Sequence, residues 1–107
     1  MNTKQNIMEH LKELTGEQDS ELLLSLYTEY RRSVLEKMTL MKEALPTADF
    51  GVLYNYSHAL KGMSEISGYQ EMWEHAANFV AATKAEDIET CKAEFEKIAE
   101  LSLTLEE

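Results

Sequence analysis

Apolar residues recur along most of this chain at steps of three and four, the repeat that gathers side chains on one side of an α-helix. Ile7, Met8, Leu11 and Leu14 mark a short amphipathic helix over 3–14, with Gly16 in the C-cap role. Asp19 or Ser20 offers the next N-cap. Leu23, Leu26, Tyr27, Tyr30, Val34, Met38, Met41 and Leu45 then draw one long stripe on a helix from about 20 to 44. Pro46 disfavours helical backbone at Leu45 and closes that helix. Thr47 or Asp49 caps a third helix over 49–67, whose core stripe reads Leu53, Tyr56, Leu60, Met63 and Ser67, and Gly68 ends it. A fourth, over 69–82, carries Met72, Trp73, Ala76, Phe79 and Val80. Thr83-Lys84-Ala85-Glu86 has the form of a capping box and predicts a last helix from 84 to 105. Along it Ile88, Cys91, Phe95, Ile98, Ser102 and Leu105 make a heptad-like seam that needs a partner helix. No alternating run of β-branched residues competes. The pattern predicts an all-α protein: an antiparallel four-helix bundle with an additional short N-terminal helix, one domain over residues 1–107.

Composition narrows the function classes. Four Gly and one Pro leave little material for the turns of a many-stranded β protein. Acidic residues outnumber basic ones 20 to 10, for a formal net charge of -10. Such a chain repels phosphate backbones, so no nucleic acid is expected as a partner. The single cysteine, Cys91, forms no intramolecular disulfide and fits a reducing, cytoplasmic setting. With no charged-then-apolar leader and no apolar run of bilayer length, no membrane association is expected. The initial Met and the compact length favour a free-standing protein, and a bundle that closes its own core needs no second copy, so a monomer is expected.

Most of the chemistry-bearing side chains read as structural. A di-metal bundle site needs Glu-x-x-His pairs on facing helices, and the Glu71 to His75 stretch has no counterpart, so no metal site is assigned. His75 and His10 read as surface or half-buried polar residues. Cys91 lies on the apolar seam and reads as a small buried hydrophobe. No Gly-rich loop is present to cradle a nucleotide. Tyr27, Tyr30, Tyr54, Tyr56 and Trp73 read as core and rim, and Glu86, Glu89, Glu94, Glu96 and Glu100 as a solvated acidic face.

His58 is different because of its neighbours. At 3.6 residues per turn Lys61 lies one turn away, and Gly62 stands almost directly above the histidine. Gly costs about 1 kcal/mol relative to Ala inside a helix, so something should compensate. Removing a side chain one turn above an imidazole opens room for a bulky partner, and a lysine beside the ring would stabilise a dianionic group placed on its nitrogen. Together these features point to a phosphoryl acceptor.

The run His58-Ala59-Leu60-Lys61-Gly62, followed by Ser64 and Gly68, resembles the signature of histidine-containing phosphotransfer (HPt) domains. The Asp19-Ser20-Glu21-Leu22-Leu23 start, the long second helix, the Asp49 entry and the Asp87-Ile88-Glu89 start also fall where that family places them. The chain departs from the family pattern at Met63, Ser67, Tyr69 and His75. The resemblance implies a carrier of phosphoryl groups in a multistep two-component phosphorelay, serving response-regulator receiver domains or a hybrid histidine kinase. It implies His58 as phosphoacceptor through Nε2, Lys61 as electrostatic partner of the phosphoryl group, and Gly62 as clearance for the receiver. Tyr54, Asn55, Ala59, Glu65 and Ile66, on or beside this face, should form the docking rim. The carrier would be no enzyme in its own right and would hold no cofactor, since the partner receiver supplies the catalytic groups and Mg2+. The alternative is a helical adaptor that binds a receiver or histidine kinase and inhibits it without transfer.

Overall fold

The computed structural model describes residues 2–107, which form five α-helices and, among the described residues, no strand. They are α1 (Thr3–Thr15), α2 (Ser20–Ala44), α3 (Phe50–Ser67), α4 (Gln70–Lys84) and α5 (Ile88–Ser102). Helix α3 packs on α2 and on α4, α4 packs on α5, and α5 meets α2. Helix α1 lies against α2 and α3 and adds Ile7 and Leu11 to the core. The molecule measures 44 × 21 × 20 Å.

Local capping chemistry sets most of the boundaries. Asn2 and Gln5 form a reciprocal capping box at α1, and Gly16 ends that helix at φ 72°. The Asp19 and Asp49 carboxylates accept backbone N–H bonds from Glu21 and Val52. Each satisfies a donor that the first helical turn leaves without a partner.

The start of α5 differs from the pattern prediction. Thr83 is no N-cap: it lies inside α4, 3% exposed, and its hydroxyl donates to the Val80 carbonyl at 2.6 Å. The chain then turns through Glu86 at φ 53°, and Asp87 caps α5. The Asp87 carboxylate accepts from both the backbone N–H of Thr90 (3.1 Å) and its hydroxyl (2.6 Å). Two donors on one carboxylate outweigh the single bond a threonine cap would make. Helix α5 also stops at Ser102, short of the predicted 105. The residues after it are tied down by side chains from other helices. Tyr27 donates to the Glu106 carbonyl at 2.6 Å, Arg31 to the Leu105 carbonyl at 2.8 Å, and the Tyr69 and Thr104 hydroxyls meet at 2.7 Å.

Tyr27, Val34, Met41, Leu53, Leu60, Met72, Phe79 and Ile98 are fully enclosed. Of the positions expected on inner faces, Leu14 is 58% exposed and Leu26 lies on the outside of α2, while Trp73, like Met38 and Phe95, is only half-buried. The inner line of α3 is also more polar than its apolar stripe implies. It reads Leu53, Ser57, Leu60, Ser64 and Ser67, while Tyr56 and Met63 sit half-buried on its flanks. Ser57 donates to the Tyr54 carbonyl at 3.2 Å, and Ser64 shares a 2.8 Å bond with the Tyr30 hydroxyl. A buried hydroxyl that keeps a hydrogen bond costs little, which is how these serines occupy core positions.

No helix among the described residues is long and apolar enough to cross a membrane.

Candidate phosphoacceptor site on helix α3

Helix periodicity gathers the candidate residues into two adjacent lines on the outer side of α3. One runs Tyr54, His58, Lys61, Glu65, and the other Asn55, Ala59, Gly62, Ile66. Leu53, Leu60 and Ser64 hold the opposite side of the helix in the core, which fixes its rotation and leaves His58 in solvent. Asn55, Glu65 and Ile66 are exposed as well, and Tyr54, Lys61 and Ala59 are half-buried.

Aromatic faces hold the polar groups of the site. The His58 ring stacks on Tyr54 with centroids 5.5 Å apart and planes inclined by 30°. Lys61 leans toward α4, where its ammonium stands 5.7 Å from the centre of the Trp73 ring. A second ammonium, that of Lys84, lies 5.8 Å from the centre of the Tyr54 ring. Contacts of this kind favour a cation over the negative face of an aromatic ring. One lysine thus rests on Trp73, and another on the Tyr54 ring that also stacks on His58, in a protein of net charge -10.

Gly62 faces open space: a Cβ placed on it would meet nothing within 4 Å. No packing inside the molecule requires a glycine there. Its Cα trace is ordinary right-handed helix, so no backbone angle requires one either. Beside it, Met63, Ile66 and Ser67 of α3 and Glu29, Tyr30 and Ser33 of α2 line a recess of about 170 Å³. Ile66 is 62% exposed at its edge.

Sequence reasoning missed Trp73 and Lys84. Trp73 read as one of the core and rim aromatics and Lys84 as part of the next helix. Once α4 extends to Lys84, the two lie eleven residues apart, close to three full turns, and share a face of α4. That spacing was the available signal, and it was masked by the competing capping box at Thr83.

The remaining candidates keep structural roles. Cys91 is fully buried, and burial together with the nearby Asp87 charge pushes its thiol pKa up, away from the reactive thiolate. His75 is half-buried and makes a 2.6 Å contact with Glu94 that joins α4 to α5. Among the described residues no group of three or more His, Cys, Asp or Glu side chains is placed to hold a metal ion.

Comparison of the chain with models of protein families, with curated proteins and with solved structures returned no match.

Proposed function

We propose that this protein is a histidine phosphocarrier of the HPt type, an antiparallel four-helix bundle in which α2 to α5 enclose the core and α1 is an addition. On this reading His58 accepts a phosphoryl group from the phosphoaspartate of a response-regulator receiver domain, or of a hybrid histidine kinase, and passes it to a second receiver. The observation that carries the reading is the arrangement on α3: an imidazole in solvent, a lysine one turn away, and above it a glycine that nothing within the molecule explains.

The chemistry follows from charge and geometry. Neutral His58 presents the Nε2 lone pair in line with the acyl phosphate. The N–P bond forms as the P–O bond breaks, and the aspartate leaves as a carboxylate with the bonding pair. The ring proton stays on Nδ1. The product carries more negative charge at the ring than the free histidine, and Lys61 offsets it. Gly62 leaves the approach to Nε2 clear. The receiver supplies its own carboxylates and Mg2+, so the protein is a carrier and not a kinase. It acts in this reading as a cytoplasmic monomer, with Tyr54, Asn55, Ala59, Glu65 and Ile66 forming the contact rim.

The test is transfer from phosphorylated receivers of the source organism. Acid-labile, base-stable label should move onto the protein, and His58→Gln should abolish it. Tight receiver or kinase binding with no label on His58 would overturn the carrier reading and select an inhibitory adaptor instead.

A further inference from the structure

The acceptor site does not end at α3. The Tyr54 ring touches both the His58 ring, at 5.5 Å between centroids, and the Lys84 ammonium, at 5.8 Å from its centre. Lys84 is an exposed residue in the last turn of α4, on a long and flexible side chain. Unrestrained, such an ammonium would sample a wide shell of solvent, and holding it costs side-chain entropy. The Tyr54 face restrains it on the same ring that stacks on His58. Lys61 is restrained in the same manner by Trp73. The two cations come from different helices and rest on two different aromatic rings. Both rings are half-buried, so their positions are set by packing.

We propose that Tyr54 is a positioning residue, fixing the imidazole plane of His58 and holding Lys84 within reach, and that Lys84 supplies a second positive charge to the phosphoryl group that His58 carries. The inference rests on the phosphocarrier reading and deepens it. One cation beside a dianion leaves net negative charge at the ring, and a second, brought from α4, neutralises it. Tyr54 takes no proton and forms no bond to phosphorus. Its contribution is to limit rotation of the ring, so that Nε2 points outward more of the time.

The experiment uses the whole chain alone, with phosphoramidate as donor, so that no receiver contact enters the measurement. In this reaction the N–P bond to His58 forms as the P–N bond of the donor breaks, and the donor nitrogen departs as ammonia. Lys84→Ala should slow labelling of His58 by roughly three- to tenfold, the scale of one partly screened charge near the reacting group. The deficit should shrink as ionic strength rises, and Lys84→Arg should restore most of the rate. Tyr54→Leu should also slow labelling, and in that background Lys84→Ala should add little, because the tether is already gone. Circular dichroism of each variant verifies that the helices are intact. Labelling at the wild-type rate in folded Lys84→Ala, a deficit that ignores salt, or fully additive effects of the two changes would overturn this inference and leave the carrier reading standing. Failure of the unaltered chain to take label from either phosphoramidate or a phosphorylated receiver would overturn both.

Discussion

Gly62 and Gly68 stand six residues apart at one end of α3, and they lack side chains for opposite reasons. A Cβ on Gly62 would enter open space, whereas one on Gly68 would run into the imidazole of His10 on α1. Gly68 also has φ 73°, in the left-handed region where any other residue is strained, and it reverses the chain into α4. One glycine serves the fold, and the other leaves a surface bare.

The contrast gives two opposite stability effects. Gly62→Ala should raise stability by about 0.5–1 kcal/mol, because alanine is the better helix former and meets no obstacle. The same change, and a larger one such as Gly62→Gln, should lower transfer from a receiver progressively with side-chain size. Denaturation in urea alongside the transfer assay checks both halves. A glycine kept for internal packing would instead lose stability on substitution.

Gly68→Ala should destabilise by at least about 1–3 kcal/mol, the cost of a strained backbone angle, with the His10 overlap adding to it. Introducing His10→Ala first should remove the overlap and leave the angle. The incremental loss from Gly68→Ala should then be smaller in that background, as a double-mutant cycle of unfolding free energies would show.

Tyr30 and Ser64 join α2 to α3 through a 2.8 Å hydroxyl pair, with Ser64 fully enclosed and Tyr30 5% exposed. Burial raises the Tyr30 pKa well above the ordinary tyrosine value, so the pair is neutral throughout the working pH range. Tyr30→Phe leaves the Ser64 hydroxyl without its partner and should cost about 1–2 kcal/mol of unfolding free energy. Adding Ser64→Ala should cost less than the sum of the two single changes.

The cap of α5 predicts a pH dependence. Hydrogen bonds from the Thr90 hydroxyl and backbone N–H hold the Asp87 carboxyl below the usual aspartate range. A carboxyl whose folded-state pKa is depressed stabilises fully above its unfolded value, and the benefit is lost as pH falls through the folded value. The melting temperature of the parent protein should therefore exceed that of Asp87→Ala at neutral pH, and the two curves should converge on acidification below about pH 4. A constant gap across that range would mean that the carboxylate charge contributes nothing.

How much of this was legible in the sequence depends on how local each signal is. Asp19, Asp49, Gly16 and Gly68 act within one turn of their own position, and the helix ends they mark stand where the pattern put them. At Thr83 and Asp87 two local signals compete four residues apart. The choice between them is made by tertiary packing, which buries Thr83 and leaves Asp87 free to cap. Leu26 shows a second limit. A step of three from Leu23 places it within the apolar stripe on paper, but the core needs only the line through Leu23, Tyr27, Tyr30 and Val34, and Leu26 falls outside it. His58, Lys61 and Gly62 were readable because they share one helix. Trp73 and Lys84 were not, because their nearness to Lys61 and Tyr54 exists only once α3 and α4 are packed together.

Ile66 offers the sharpest test of the surface that Gly62 leaves bare. It lies one turn beyond that glycine, 62% exposed, beside the recess between α2 and α3. An exposed isoleucine contributes little to the stability of a monomer, so Ile66→Asp should change unfolding free energy by no more than about 0.5 kcal/mol. A receiver docked over His58 would cover this side chain, and burying a carboxylate in its place is costly. Receiver affinity should fall by about tenfold or more, equivalent to ~1.4 kcal/mol, as read by calorimetric titration. An unchanged affinity would move the docking surface off this end of α3, toward Tyr54 and Asn55.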